Sequence, residues 1–362
     1  MREEPRITDL AVSAYRIATD QPESDGTLEW RSTTLVVVEA HAGDEHGLGY
    51  TYADRATAVL VRDRLRPLVV GRGAFEGPAV WQAMVNALRN LGASGVGATA
   101  VSAVDAALWD LKARLLGVPL ASLVGLARPA IPVYGSGGFT SLSVLELQRQ
   151  LAGWAEAGFG SVKMKVGRDP SRDPERVRAA REAIGVGVEL YVDANGAYRP
   201  KQALALARVF APLGVTWLEE PVPQRDLDTL ALIREAAPPT IDVVAGEYGW
   251  ESGDFLPLLG AVDVLQADAT RCGGITGFLR VAALCEAHRV PLSSHTAPSL
   301  HVALCCATPA ARNLEWFHDH VGIEAMLFDG APAPRNGLLA PDLSRPGIGL
   351  ELKRREADRH AA

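Results

Sequence analysis

Cysteine is scarce in this chain. The four residues present, Cys272, Cys285, Cys305 and Cys306, lack the CxxC spacing of a zinc site and lie in or beside apolar segments, where free buried thiols are expected. No stripe of Lys and Arg interleaves with aromatics, and the formal charge is −7, so nucleic acid is not an expected partner. No apolar run approaches the roughly 18–20 residues that cross a bilayer. The N-terminal MREEPRITDL has no apolar core of a secretory signal. These absences lead to the expectation of a soluble cytoplasmic protein without a membrane partner. Disorder and fibrous repeats are also excluded, because 48% hydrophobic against 22% charged residues supplies a packed core. At 362 residues the chain is long for one core. One domain of about 200–250 residues with a smaller partner is expected.

Two kinds of sequence follow one another. Residues 10–14 alternate, residues 33–40 are rich in β-branched side chains, and residues 48–53 follow a turn-like 43–47, so antiparallel strands are expected. The period then changes. Val101, Val104, Leu108, Leu111 and Leu115 mark one face of a helix that stops at Gly117. Strands first and a helix after describe a small α+β domain. From about residue 130, short apolar strands are expected at 131–134, 161–166, 190–193, 215–219, 243–246, 262–267, 291–294 and 313–315. Helical stretches separate them; Asp173 reads as an N-cap ahead of Pro174, and Pro200 opens the next helix. This alternation fits a parallel βα barrel or an open doubly wound sheet.

Charge placement separates the two. Seven successive strands carry, or just precede, an ionisable residue: Lys163 and Lys165, then Asp193, Glu219, Glu247, Asp268, His295 and Glu315. A closed barrel brings such strand ends to one mouth, at its C-terminal face. Buried charges gathered there must be paired or must bind metal. Asp193, Glu219 and Glu247 are all oxygen donors on consecutive strands, a set that suits Mg²⁺ or Mn²⁺ better than Zn²⁺. Without a cation they raise one another's pKa. Lys163 and Lys165 share a strand face, with Val162, Met164 and Val166 on the other. Side by side near a cation, the two ammonium groups are expected to depress each other's pKa, as a lysine base needs. Asp268 and His295 fall on neighbouring strands, where a carboxylate fixes the imidazole tautomer. His41, His46, His288, His301 and His360 read as loop, helix or surface residues. His318 and His320 flank Asp319 and read as a helix start.

Taken together, SVKMK, YVDANGAY, WLEEP and VAGE resemble the enolase superfamily. QADATRCGG, PLSSHTAPS and NLEWF resemble its mandelate racemase-like subgroup, over essentially the whole chain. The resemblance implies an α/β fold: a modified TIM barrel, (β/α)7β, over 128–339. An N-terminal α+β capping domain would span 1–127, with a C-terminal segment from about 340 to 362 returning to it. It implies Mg²⁺ on Asp193, Glu219 and Glu247, with Mn²⁺ as a substitute. Lys165 is implied as one acid/base and the His295–Asp268 dyad as the other. Lys163 would neutralise the substrate carboxylate, Glu315 would donate a hydrogen bond to it, and Asn195 would contact the substrate. Homo-oligomers are common in the family.

The chemistry so implied removes the proton beside a carboxylate, through an enediolate stabilised by surrounding charge. Return of a proton from the opposite base makes a racemase or epimerase. Loss of a β-hydroxyl makes an acid-sugar dehydratase giving a 2-keto-3-deoxy acid. The polar segment 20–32, read as a loop offering Glu23, Asp25, Thr27 and Trp30 to a pocket, favours the hydroxylated substrate of the dehydratase. A catalytically silent binding or scaffold protein is the reading from another class, and intact Lys165, Asp268 and His295 argue against it.

Overall fold

Strand pairing in the N-terminal region follows chain order: β1 (Asp9–Ser24), β2 (Glu29–Ala42) and β3 (Glu45–Tyr52) form one antiparallel sheet in the computed structural model, which describes residues 4–362. β2 is a near-continuous apolar run because both of its faces are covered. Val38, Ala40 and Ala42 pack with Val104, Leu108 and Leu111 of helix Val96–Leu115, while Leu35 and Val37 join the core shared with the barrel. β3 meets that helix closely. A Cβ at Gly49 would lie 2.2 Å from the Ala103 carbonyl oxygen. Gly49→Ala is therefore expected to push strand and helix apart and cost about 1–3 kcal/mol, read as a lower unfolding midpoint. An unchanged midpoint would mean the contact is slack.

Segment 20–32 is not a loop. β1 runs to Ser24 and β2 starts at Glu29, with Glu23 paired to Trp30 and Ser24 to Glu29. The turn between them is closed by Asp25, whose Oδ1 accepts from the Thr27 and Leu28 N–H groups at 2.6 and 2.7 Å. β1 is an edge strand with a register shift between Ala18 and Glu23. Its polar composition records a half-solvated edge and concealed the pairing.

From residue 131 eight parallel strands follow: β4 (Ile131–Gly137), β5 (Ser161–Lys165), β6 (Glu189–Asp193), β7 (Val215–Glu219), β8 (Asp242–Ala245), β9 (Val264–Ala267), β10 (Leu292–Ser294) and β11 (Ala311–Phe317). They pair in chain order and β11 closes onto β4, so the sheet is a cylinder. Helical crossovers join successive strands, and helix His318–Leu327 follows the last. Helix Pro200–Phe210 opens on its proline. Asp173 behaves otherwise. It sits inside the first turn of helix Asp173–Ile184 and caps nothing. Its carboxylate accepts instead from Gly167 N–H at 2.9 Å and the Tyr198 hydroxyl at 2.6 Å, donors that belong to neighbouring βα loops.

Inside the cylinder, Tyr134, Tyr191, Trp217, Val244 and Val264 form a packed layer. Two residues further along β6 and β7 come Asp193 and Glu219, so side-chain alternation carries the chain from core to site in one step. The end of the chain runs back to the N-terminal sheet, where Ala362 N–H donates to the Ala14 carbonyl at 3.0 Å. The four cysteines are free and buried. No helix among the described residues is long and apolar enough to cross a membrane.

Candidate active site

Strand register places Lys165, Asp193 and Glu219 at one level of the barrel mouth. Glu247 joins them from just beyond β8. The step depends on Gly246, at φ 141°, where a Cβ would lie 2.0 Å from the Gln266 carbonyl oxygen. One carboxylate oxygen from each of Asp193, Glu219 and Glu247 lies within 4.8 Å of the others, and all three residues are buried. Trp217 Nε1 donates to Glu219 Oε2 at 2.8 Å and Asn195 N–H donates to Asp193 Oδ1 at 2.8 Å, so packing and backbone aim the ligand set. Positive φ values at Asn195, Glu220, Thr296 and Ala297 cluster directly after β6, β7 and β10, and strain of this kind gathers where a site over-determines the backbone.

This donor set fits a hard divalent cation. Glu247 Oε2 is 3.2 Å from His295 Nε2, yet it is buried without a hydrogen bond. Burial and the Asp193 charge push the Glu219 carboxyl up to about 8, as neighbouring acids without a cation should. Glu247 is an exception: burial raises it, but His295, Arg271 and Lys165 pull it well below its ordinary value.

The two lysines are ringed by these acids. Lys163 Nζ lies 2.6 Å from Glu219 Oε1, 2.8 Å from Glu315 Oε1 and 3.7 Å from Asp193 Oδ2, and Lys165 donates to Asp193 Oδ2. Burial lowers both ammonium pKa values, but the surrounding carboxylates outweigh it and hold both raised. In the absence of a cation the acids outnumber the pair and mask any mutual depression. The Glu315 carboxyl is held low: burial raises it, and Lys163 and His295 bring it down to about 2. It accepts from Lys163 and from Thr296 N–H at 2.8 Å, and donates nothing here.

Across the mouth, His295 Nδ1 is 2.8 Å from Asp268 Oδ2. Asp268 Oδ1 accepts from Thr270 N–H at 2.7 Å, and Arg271 Nε lies 3.5 Å from Oδ2. Burial raises the Asp268 carboxyl, but His295 and Arg271 leave it well below its ordinary value. Burial lowers the His295 ring; Glu247 and Asp268 more than offset this and raise it to about 9.

A cavity of about 940 Å³ lies above these groups, lined by Lys165, Asn195, Glu247, His295 and Glu315 from the barrel and by Trp30 and Tyr52 from the N-terminal sheet. Asn195 Oδ1 is buried without a partner. Glu23 does not line the cavity. It is 2% exposed behind Trp30, whose Nε1 donates to it at 3.0 Å and also approaches Asp319 Oδ2 at 3.4 Å. Burial and Asp319 push the Glu23 carboxyl up to about 9. The hairpin turned it inward, where a loop would have let it face the cavity. His318 and Asp319 open a helix, and His320 is buried in the cavity wall. His301 is buried in helix Pro298–Ala307, accepting from Ala269 N–H at 2.8 Å. Sequence reasoning missed Arg271. Its position one helical turn past Asp268 was the available signal.

A closed βα barrel holding three acidic oxygen donors between a lysine and a histidine–aspartate dyad defines a metal-assisted acid–base enzyme. Residues 14–125 match the family described as mandelate racemase / muconate lactonizing enzyme, N-terminal domain, and residues 146–357 match enolase C-terminal domain-like. The chain belongs to the mandelate racemase/muconate lactonizing enzyme family of the enolase superfamily. It is 35% identical over 358 residues to a 3,6-anhydro-alpha-L-galactonate cycloisomerase of Streptomyces coelicolor, covering 96% of this chain and 97% of that one. A mandelate racemase/muconate lactonizing enzyme-like protein from Rubrobacter xylanophilus superposes with a TM-score of 0.97 at 56% identity, covering 99% and 100%. An L-talarate dehydratase from a Polaromonas species, complexed with Mg and L-glucarate, superposes with a TM-score of 0.89 at 30% identity, covering 99% and 98%.

Proposed function

We propose that the protein is a Mg²⁺-dependent acid-sugar dehydratase that starts by removing the proton beside the substrate carboxylate. The observation that carries this is the convergence of Asp193, Glu219 and Glu247 within 4.8 Å, between Lys165 on β5 and the dyad on β9 and β10. A divalent cation on those three carboxylates supplies the positive charge that a doubly anionic enediolate needs. Three barrel positions separate β5 from β10 by way of β11 and β4, so the two bases face the substrate from nearly opposite sides.

In this reading Lys165 Nζ or His295 Nε2, in its unprotonated form, takes the α-proton, and the C–H electrons pass into the carboxylate; a cation held by Asp193 would offset the carboxylate that keeps the Lys165 ammonium protonated. Lys163 offsets the charge that develops. Glu315 holds Lys163 in place; it donates to the substrate only after gaining a proton, which a second carboxylate within reach favours. A cation held by Glu247 would offset that carboxylate's pull on His295, leaving Asp268 as the ring's carboxylate partner. For dehydration, the enediolate electrons form the new double bond and the β-carbon–oxygen bond breaks. Protonated His295 gives its proton to the leaving hydroxyl, which departs as water, and the enol tautomerises to the 2-keto-3-deoxy acid. Asn195 and Trp30 line the space for the sugar chain.

A second reading follows from the cycloisomerase relative. The same elimination with a ring oxygen as leaving group opens the ring and conserves mass. The test is a panel of acid sugars and their anhydro and lactone forms, incubated with Mg²⁺ in H₂O. Dehydration is expected, seen as a trapped 2-keto acid and a mass lower by one water. A keto acid of unchanged mass would favour ring opening. Stereoinversion alone would replace both with a racemase.

A further inference from the structure

Glu324 sits on helix His318–Leu327 and is 1% exposed. A carboxylate buried this deeply demands donors, and four converge on it. Oε1 accepts from the Tyr50 hydroxyl at 2.7 Å, and the Tyr52 hydroxyl, whose one proton is shared with the His320 carbonyl at 3.3 Å, lies 3.4 Å from it. Oε2 accepts from Ser299 N–H at 3.0 Å and Ser299 Oγ at 2.5 Å. Burial raises the carboxyl to about 7, with the four donors pulling against it.

These donors come from separate parts of the molecule. Tyr50 and Tyr52 lie on β3 of the N-terminal sheet. Ser299 lies in the first turn of helix Pro298–Ala307, four residues past His295, and the intervening Thr296 and Ala297 hold φ of 50° and 42°. Tyr52 extends the link into the cavity. Its ring stacks on His320 with centroids 3.3 Å apart and planes 14° apart, and both residues line the cavity. An apolar side chain would fill the same volume without a desolvation cost. What the carboxylate adds is direction, because a fully satisfied buried network fixes one docking geometry.

We propose that Glu324 is a positioning residue that ties the N-terminal sheet and the His295 loop to one point, so setting the Tyr52–His320 wall of the cavity at a fixed distance from the base. The kinetic part of this proposal rests on the functional reading above; the docking part does not.

The experiment compares Glu324→Gln, Glu324→Leu, Tyr52→Phe and the Glu324→Leu/Tyr52→Phe double variant. Glutamine keeps a carbonyl for Ser299, and its amide can donate to tyrosine hydroxyls, which also accept. Glu324→Gln is therefore expected to keep KM for α-proton exchange within about threefold of wild type, and Glu324→Leu to raise KM by about tenfold or more with kcat within about threefold, since small misplacements of a positioning wall carry such factors. Glu324→Leu and Tyr52→Phe should be non-additive, because they act through one contact. Amide hydrogen exchange of β3 and of Ser299, measured without substrate, should be faster in Glu324→Leu. Unchanged KM in folded Glu324→Leu, strict additivity, or a tenfold KM rise in Glu324→Gln each overturns the proposal. If wild type exchanges no substrate α-proton at all, the functional reading fails, and the amide measurement still decides the docking role.

Discussion

His295→Asn is expected to lose α-proton exchange from one substrate configuration by about 10²–10⁴-fold, the range for removal of a general acid or base, and to keep exchange from the mirror configuration. Asparagine is close in size to the ring and still offers a donor to Asp268, so the cavity keeps its shape. Lys165, three barrel positions away and held by Asp193, is untouched. Proton NMR of both epimers in D₂O reads the two rates separately. Equal loss from both would contradict the assignment of two bases. Dehydration falls with the first rate whichever base starts the reaction, because His295 is also the acid that delivers the leaving hydroxyl.

Removal of divalent cation with EDTA is expected to take exchange to background, with recovery on adding Mg²⁺. Glu219→Gln should lower exchange by about 10²–10³-fold, the order found when one electrostatic stabiliser of a developing anion is lost. The physical ground is the acid excess. Asp193, Glu219 and Glu247 are gathered in a buried space, with Glu219 pushed up to about 8 and one Glu247 oxygen lacking a donor. The same argument gives a readout without substrate. A cation that binds only the folded protein stabilises it by about 2.7 kcal/mol at a hundred times its Kd, so Tm should rise with Mg²⁺ in wild type and barely move in Glu219→Gln. Full activity in EDTA would remove the metal from the mechanism.

Much of the site was legible because strand direction is local. Alternation alone puts Lys163 and Lys165 on one face, and carries Tyr191 to Asp193 and Trp217 to Glu219. Recurring strands and helices imply a shared C-terminal face, and a charge at each strand end marks it. What alternation leaves open is how many opposite charges meet a given group. Around the lysine pair stand more carboxylates than ammonium groups, and without a cation they hold both lysine pKa values raised.

By itself, then, the sequence determined which side chains stand at the ends of the barrel strands and which elements carry them, since period and capping chemistry act within a few residues. Tertiary structure decided the rest. It turned segment 20–32 into a hairpin, drew Glu23 behind Trp30, gave Asp173 to a neighbouring loop and set four donors from two distant segments around Glu324. Each of these outcomes depends on a partner tens to hundreds of residues away or on pairing across an edge. A polar residue's own neighbours in the chain carry no record of which distant donor it will meet.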